Sequence, residues 1–193
     1  MRGTDTELHI LQVARKVFFT EGKIDATMQE IADAAQVTRT SLNYYFRSRD
    51  SLFKKIHEQS GLEFEARLND VMTRTLPFRE KVDNLVTVLL EQLQRYPYQE
   101  IFLISDFHYN PDSMSKVNKH SMQLFLKEIA EHMEKGEVIK MNPVHFMVNI
   151  FSLIAYPFLM KPLYKVLFTM TETDYANLLK QRKDVVMKLH FPE

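Results

Sequence analysis

The chain has 193 residues, 45% apolar and 26% charged, with a formal net charge of zero. This is ordinary globular composition, with length for one or two domains and a sizeable core. Cysteine is absent, which excludes disulfides, thiolate nucleophiles and cysteine zinc sites and suits a reducing cytoplasm. The four glycines are isolated from one another, so a glycine-rich phosphate loop is excluded too.

The opening stretch, MRGTDTELHILQVARKVFF, carries acids and no unbroken apolar run, unlike a signal peptide. Helical periodicity dominates from there on, and an all-α fold is expected. A first helix is predicted over 6–21, with Leu8, Leu11, Ala14, Val17 and Phe18 on its inner face and Gly22 as a left-handed stop. Thr27 and Glu30 have capping-box spacing, with Ala26 and Ile31 at the two staple positions, so a short helix is expected to start there and end near Ala35. Thr38 is a second N-cap, and Val37 and Leu42 form a second staple. Two short helices joined across Gln36 and Val37 must cross steeply, as in a helix-turn-helix. Beyond them the pattern predicts helices over 48–74, from Pro77 to about 96, over 99–108, over 113–135 with Gly136 as its stop, over 143–160, and over 172–190.

The composition of residues 36–53, QVTRTSLNYYFRSRDSLF, is unusual for a helix that only packs. Residues 36–55 hold Arg39, Arg47, Arg49, Lys54 and Lys55 against the single acid Asp50, a local net of +4 in a neutral chain. The second helix of a helix-turn-helix lies in the major groove, with its N-terminal residues at base edges. Here it offers Arg39, Thr40, Ser41, Asn43 and Tyr44, while Leu42 and Phe46 can face inward. Arginine can pair bidentately with guanine and asparagine with adenine. Thr27, Tyr44, Tyr45 and Arg49 can bond phosphates, which sets register without reading sequence. The helix starts at Thr27 and Thr38 add backbone N–H groups for the same purpose. On spacing alone, half-buried packing tyrosines in an all-α protein–protein interaction module without DNA binding remain the alternative.

The segment ILQVARKVFFTEGKIDATMQEIADAAQVTRTSLNYYFRSRDSLF resembles the N-terminal domain of the TetR family of bacterial transcriptional regulators over residues 8–53, including TMQEIA, VTRTSL and YFRSRDSLF. The resemblance implies a three-helix DNA-binding domain, placed at 1–47, and a larger helical effector-binding and dimerisation domain at 48–193. It implies phosphate contacts from Thr27 and Tyr45, and from Arg49, which stands where a basic residue, often lysine, is found. Arg39, Thr40, Ser41, Asn43 and Tyr44 fall on the base-reading face. Three residues depart from the pattern. Gln36 stands where glycine is frequent, so a left-handed backbone there would cost about 1 kcal/mol. Thr40 replaces glycine or alanine, and Asn43 replaces tyrosine.

Residues 85–110 are rich in aromatic side chains, and Phe102, Phe107, His108, Tyr109, Met122 and Phe125 are candidates to line an effector cavity. Residues 141–160 contain no Asp, Glu, Lys or Arg. Asn142, Pro143, His145, Asn149, Ser152 and Pro157 interrupt that run, so a buried helix is expected rather than a membrane span. The resemblance implies a homodimer, with the interface on about 143–158 and 172–190. The seven histidines are scattered, no Gly-x-Ser-x-Gly occurs, and neither a metal, a cofactor nor catalytic residues are expected. The combined expectation is a repressor of transcription on a near-palindromic DNA operator, released by a small-molecule effector and not an enzyme.

Overall fold

The structure, a computed structural model, describes residues 3–23, 25–101, 104 and 119–191, and every regular element among them is helical. The expected all-α fold is what the chain adopts. It divides into two compact units, Met1–Glu65 with Arg95–Gln99, and Ala66–Gln94 with Glu100–Glu193.

The first unit opens with α1 (Gly3–Arg15), which continues into a π-helical turn over Lys16–Thr20. The wider turn has a visible cause: Val17, Phe18 and Phe19 are all buried, and three consecutive residues cannot share one face at 3.6 residues per turn. Glu21 N–H bonds back to the Lys16 carbonyl, five residues away, at 3.0 Å. Gly22 ends the segment at φ +69°, the left-handed position expected of it. Leu8, placed inside by periodicity, is 53% exposed; Leu11 is buried as expected, and Ile10, which the pattern did not place inside, is buried too.

Next come α2 (Met28–Ala34) and α3 (Arg39–Tyr45). Ile31, Ala32, Ala35 and Leu42 are buried, as are Ile10, Ala14 and Phe18 of the first helical segment. Burial of each large apolar side chain is worth about 1.5–3 kcal/mol. The His9 ring Nε2 lies 3.0 Å from the Ala35 carbonyl, tying α1 to the end of α2. The long helix α4 (Arg49–Thr73) follows and contributes to both units.

The second unit is built on α5 (Phe78–Arg95), α6 (His120–Glu134), α7 (Pro143–Leu159), α8 (Lys161–Leu167) and α9 (Glu172–His190). Its core centres on Phe78, whose ring stacks on His132 at 4.2 Å and meets Phe125, Phe146 and Phe191 at 6.0–6.4 Å. Lys81, almost fully buried, pairs with Glu128 at 2.7 Å.

Pro143 occupies the first turn of α7, as expected, and Asn142 caps that helix through the Val144 N–H. Pro157 lies inside α7, and having no N–H it leaves the Leu153 carbonyl without its helical donor. Arg182 of α9 supplies one: its Nε bonds that carbonyl at 2.6 Å. The α8 turn was not foreseen. Glu172 at the start of α9 pairs with Lys161 and Lys165 of α8. Among the described residues no single helix is long and apolar enough to cross a membrane, and α7 and α8 meet at a 72° bend.

Candidate nucleic-acid interface

Thr27 has extended backbone angles, and its hydroxyl accepts the Glu30 N–H at 3.2 Å. Glu30 returns the contact, accepting the Thr27 N–H at 2.7 Å and the Thr27 hydroxyl at 2.8 Å. These bonds hold the Glu30 carboxyl below the usual carboxylate range. Thr38 likewise accepts the Ser41 N–H at 3.1 Å and starts α3. Between the two helices Gln36 adopts φ +55°, the left-handed state that the compact turn demands.

The α3 helix is two-sided. Leu42 is fully buried and Phe46 nearly so. Arg39, Thr40, Asn43 and Tyr44 are exposed on the opposite side, Tyr44 at 82%. Ser41 and Tyr45 are half-buried at the margins, and the Tyr45 ring meets Tyr44 edge to face at 5.1 Å. The fold therefore puts Arg39, Thr40, Asn43 and Tyr44 on one solvated side of α3, with Ser41 at its margin, and Thr27 and Thr38 cap the starts of the two helices.

Arg49 has a structural task as well. Its Nε donates to the Ala26 carbonyl at 3.1 Å, and its guanidinium lies 5.3 Å from the centre of the Phe18 ring. It thereby fastens the start of α4 to the loop before α2. Sequence reasoning had no access to this bond, because the partner is a backbone group 23 residues away. It also missed a reciprocal cap at the start of α4, where Ser48 N–H bonds Ser51 Oγ at 3.2 Å and Ser51 N–H bonds Ser48 Oγ at 3.1 Å. The Ser-x-x-Ser spacing was the available signal. Arg47, Lys54 and Lys55 are exposed around this junction, so the local positive charge faces solvent.

Of the effector candidates, Phe102, Phe107, His108 and Tyr109 lie outside the described residues. Met122 is half-buried, and Phe125 is buried with its ring 6.0 Å from Phe78. Among the described residues no group of three or more His, Asp or Glu is placed to hold a metal ion.

Residues 10–56 match the family model described as bacterial regulatory proteins, tetR family. The first unit carries a TetR-type helix-turn-helix segment. The matched span covers the end of α1, both helices of the helix-turn-helix and the first turns of α4. Over 56 residues it is 39% identical to the HTH-type transcriptional regulator AcrR of Shigella flexneri, which is 29% of this chain and 26% of that protein. Over 87 residues it is 29% identical to the uncharacterized HTH-type transcriptional regulator YhgD of Bacillus subtilis, covering 45% and 46% of the two chains. The chain thus spans less than half the length of either of these relatives. Its fold is similar along nearly the whole length to the ketosteroid transcriptional regulator KstR2 of Mycobacterium tuberculosis, with a TM-score of 0.70 at 16% identity, covering 97% of this chain and 95% of that one. At that identity the likeness is one of fold alone.

Proposed function

We propose that this chain is a homodimeric, sequence-specific DNA-binding regulator of transcription, a cytoplasmic repressor that a small-molecule effector releases from its operator. The observation that supports it most directly is the exposed polar face of α3, with Arg39, Thr40, Asn43 and Tyr44 opposite the buried Leu42. In this reading Arg39 and Asn43 read base edges, helped by Thr40, Ser41 and Tyr44. Thr27, Thr38, Tyr45 and Arg49 set the register on phosphates. Arg49 does so from a position already tethered to Ala26.

The dimer reading rests on an unpartnered apolar stripe. Val144, Val148 and Tyr156 lie at four- and eight-residue steps on α7 and are each about half exposed, as are Val185 and Leu189 on α9. A second copy placed over α7 and α9 buries them, within the 143–158 and 172–190 segments expected for the interface. Two α3 helices held about 34–36 Å apart then reach successive major grooves on a near-palindromic site. Effector binding, in a pocket walled by aromatic residues of 102–109 together with Met122 and Phe125, favours a dimer whose heads are wrongly spaced. The α4 helix is the connecting lever, because it belongs to both units.

Selection of duplexes from a randomised library by the purified protein tests the proposal. A near-palindromic consensus is expected. Recovery of no preferred sequence by folded, dimeric protein would contradict it and return the interaction-module alternative.

A further inference from the structure

The α8 helix (Lys161–Leu167) buries none of its residues, yet its two sides differ. Lys161 and Lys165 turn toward α9 and pair with Glu172 at 3.1 and 2.6 Å, and the Lys161 ammonium lies 4.9 Å from the centre of the buried Tyr175 ring. Leu163, Val166 and Leu167 fall on the opposite side of the helix, 47%, 80% and 62% exposed. All three are more exposed than the lysine side chains, at 42% and 35%. A helix made to face water is arranged the other way round, apolar side in and charges out.

The helix is nonetheless firmly terminated. Met170 N–H bonds the Lys165 carbonyl at 3.0 Å and Thr169 N–H bonds the Val166 carbonyl at 3.3 Å, the paired bonds of a Schellman stop. That stop needs a left-handed residue, and Thr169 adopts φ +52° although it is β-branched. Strain is thus accepted to fix a helix whose apolar side, in a single copy, meets solvent. The apolar surface of α8 is also continuous with the α7 stripe. Tyr156, half exposed at the end of that stripe, meets Tyr164 at 6.1 Å, and Tyr164 meets Phe168 at 5.4 Å.

A matching surface lies at the other end of α7, roughly 18 Å away along the helix. There Val144 and Ile139 are 53% and 43% exposed, and the Ile139 N–H bonds the His190 carbonyl, next in sequence to half-exposed Leu189. A two-fold axis through the middle of α7 runs the two copies of that helix antiparallel and brings each end onto the opposite end of its partner. Lipid is the other apolar surrounding for such a surface, but interfacial helices turn their cations toward headgroups. Here both cations turn inward onto Glu172, which favours protein. We propose that α8 is a docking arm for a second copy of this chain, seating Leu163, Val166 and Leu167 on the partner's Ile139 and the partner's Val144, with the same contact made in return. The proposal rests on the dimer reading given above and extends it to an element outside the 143–158 and 172–190 segments.

The chain has no cysteine, so an introduced pair reports alone. Val144→Cys and Val166→Cys combined in one full-length chain stand at opposite ends of α7, beyond the roughly 7 Å between Cα atoms that a disulfide can span. Mild oxidation of this double variant is expected to give a covalent dimer on a non-reducing gel, and either single variant little or none. Val166→Asp with Leu167→Asp is expected to raise the dimer Kd by about tenfold or more in sedimentation, with helical circular dichroism unchanged. If wild type is a dimer and the aspartate variant is equally dimeric, the arm is overturned while the dimer reading stands. Cross-linking by Val166→Cys alone as strong as by the pair would overturn it too, by placing α8 against the partner's α8. So would wild-type binding to phosphatidylglycerol vesicles that the aspartates abolish without weakening the dimer. A wild-type chain that is monomeric at micromolar concentration would overturn the dimer reading and the arm with it.

Discussion

Gln36 is held at φ +55° with its side chain exposed, and nothing in the turn requires more than its backbone. A left-handed L-residue costs about 1–2 kcal/mol, part of which glycine returns through its freer unfolded chain. Gln36→Gly is therefore expected to raise stability by about 0.5–1 kcal/mol, read as a higher urea midpoint with an unchanged slope. The α3 residues differ in what they are asked to do. Arg39→Ala should weaken the selected site by about 1–3 kcal/mol and relax discrimination at one base pair. Tyr45→Phe should weaken all sequences about equally, and identical profiles across single-base operator variants would refute the division of roles. At this scale local chemistry was legible in the sequence: the caps at Thr27 and Thr38, the strained turn at Gln36 and the stop at Gly22 each depend on residues within one turn. Arg49 was not legible as a structural tie, because its partner lies 23 residues away.

Helix starts and stops were largely visible for the same reason, with Pro143 and Gly136 marking boundaries that the backbone respects. Two elements were not. The π turn at Lys16–Thr20 is too short for its period to be told from an α-helix, although the run of Val17, Phe18 and Phe19 was the clue. The α8 helix has no buried residue of its own and is too short for its period to betray it. Element-scale stability can be tested at both kinds of cap. The Thr27–Glu30 box depends on an ionised Glu30, whose folded pKa lies below its ordinary 4.5. Its contribution is thus complete above about pH 4.5 and is lost as pH falls through the lowered value. Glu30→Gln should flatten that part of the acid dependence of unfolding, and an unchanged profile would contradict the assignment. The Arg182 bond to the Leu153 carbonyl makes a sharper case. Arg182→Met should cost about 1–3 kcal/mol in a chain that keeps Pro157. It should cost less in Pro157→Ala, where the helix supplies its own donor; equal costs in a double-mutant cycle would show that the proline is irrelevant.

The charge of the whole molecule is zero, yet Arg39, Arg47, Arg49, Lys54 and Lys55 lie within 17 residues beside the α3 surface. In the proposed dimer two copies would bring ten such cations to one duplex. The apolar stripe on α7 and α9 is the proposed interface, and Val148→Arg is expected to yield a monomer by sedimentation at micromolar concentration, with full-site binding lost. Sequence alone placed a buried helix at 143–160, but the half-exposed Val144, Val148 and Tyr156 became apparent only in three dimensions. The account turns on whether that assembly reads DNA. The measurement that tests it most directly is a salt titration of affinity for the selected duplex beside a scrambled one. Neutralised phosphates release counterions, so affinity should fall by a factor on the order of 10³ between 50 and 200 mM salt, with the preference for the selected duplex retained. A flat salt response, or equal affinity for both duplexes throughout, would contradict it.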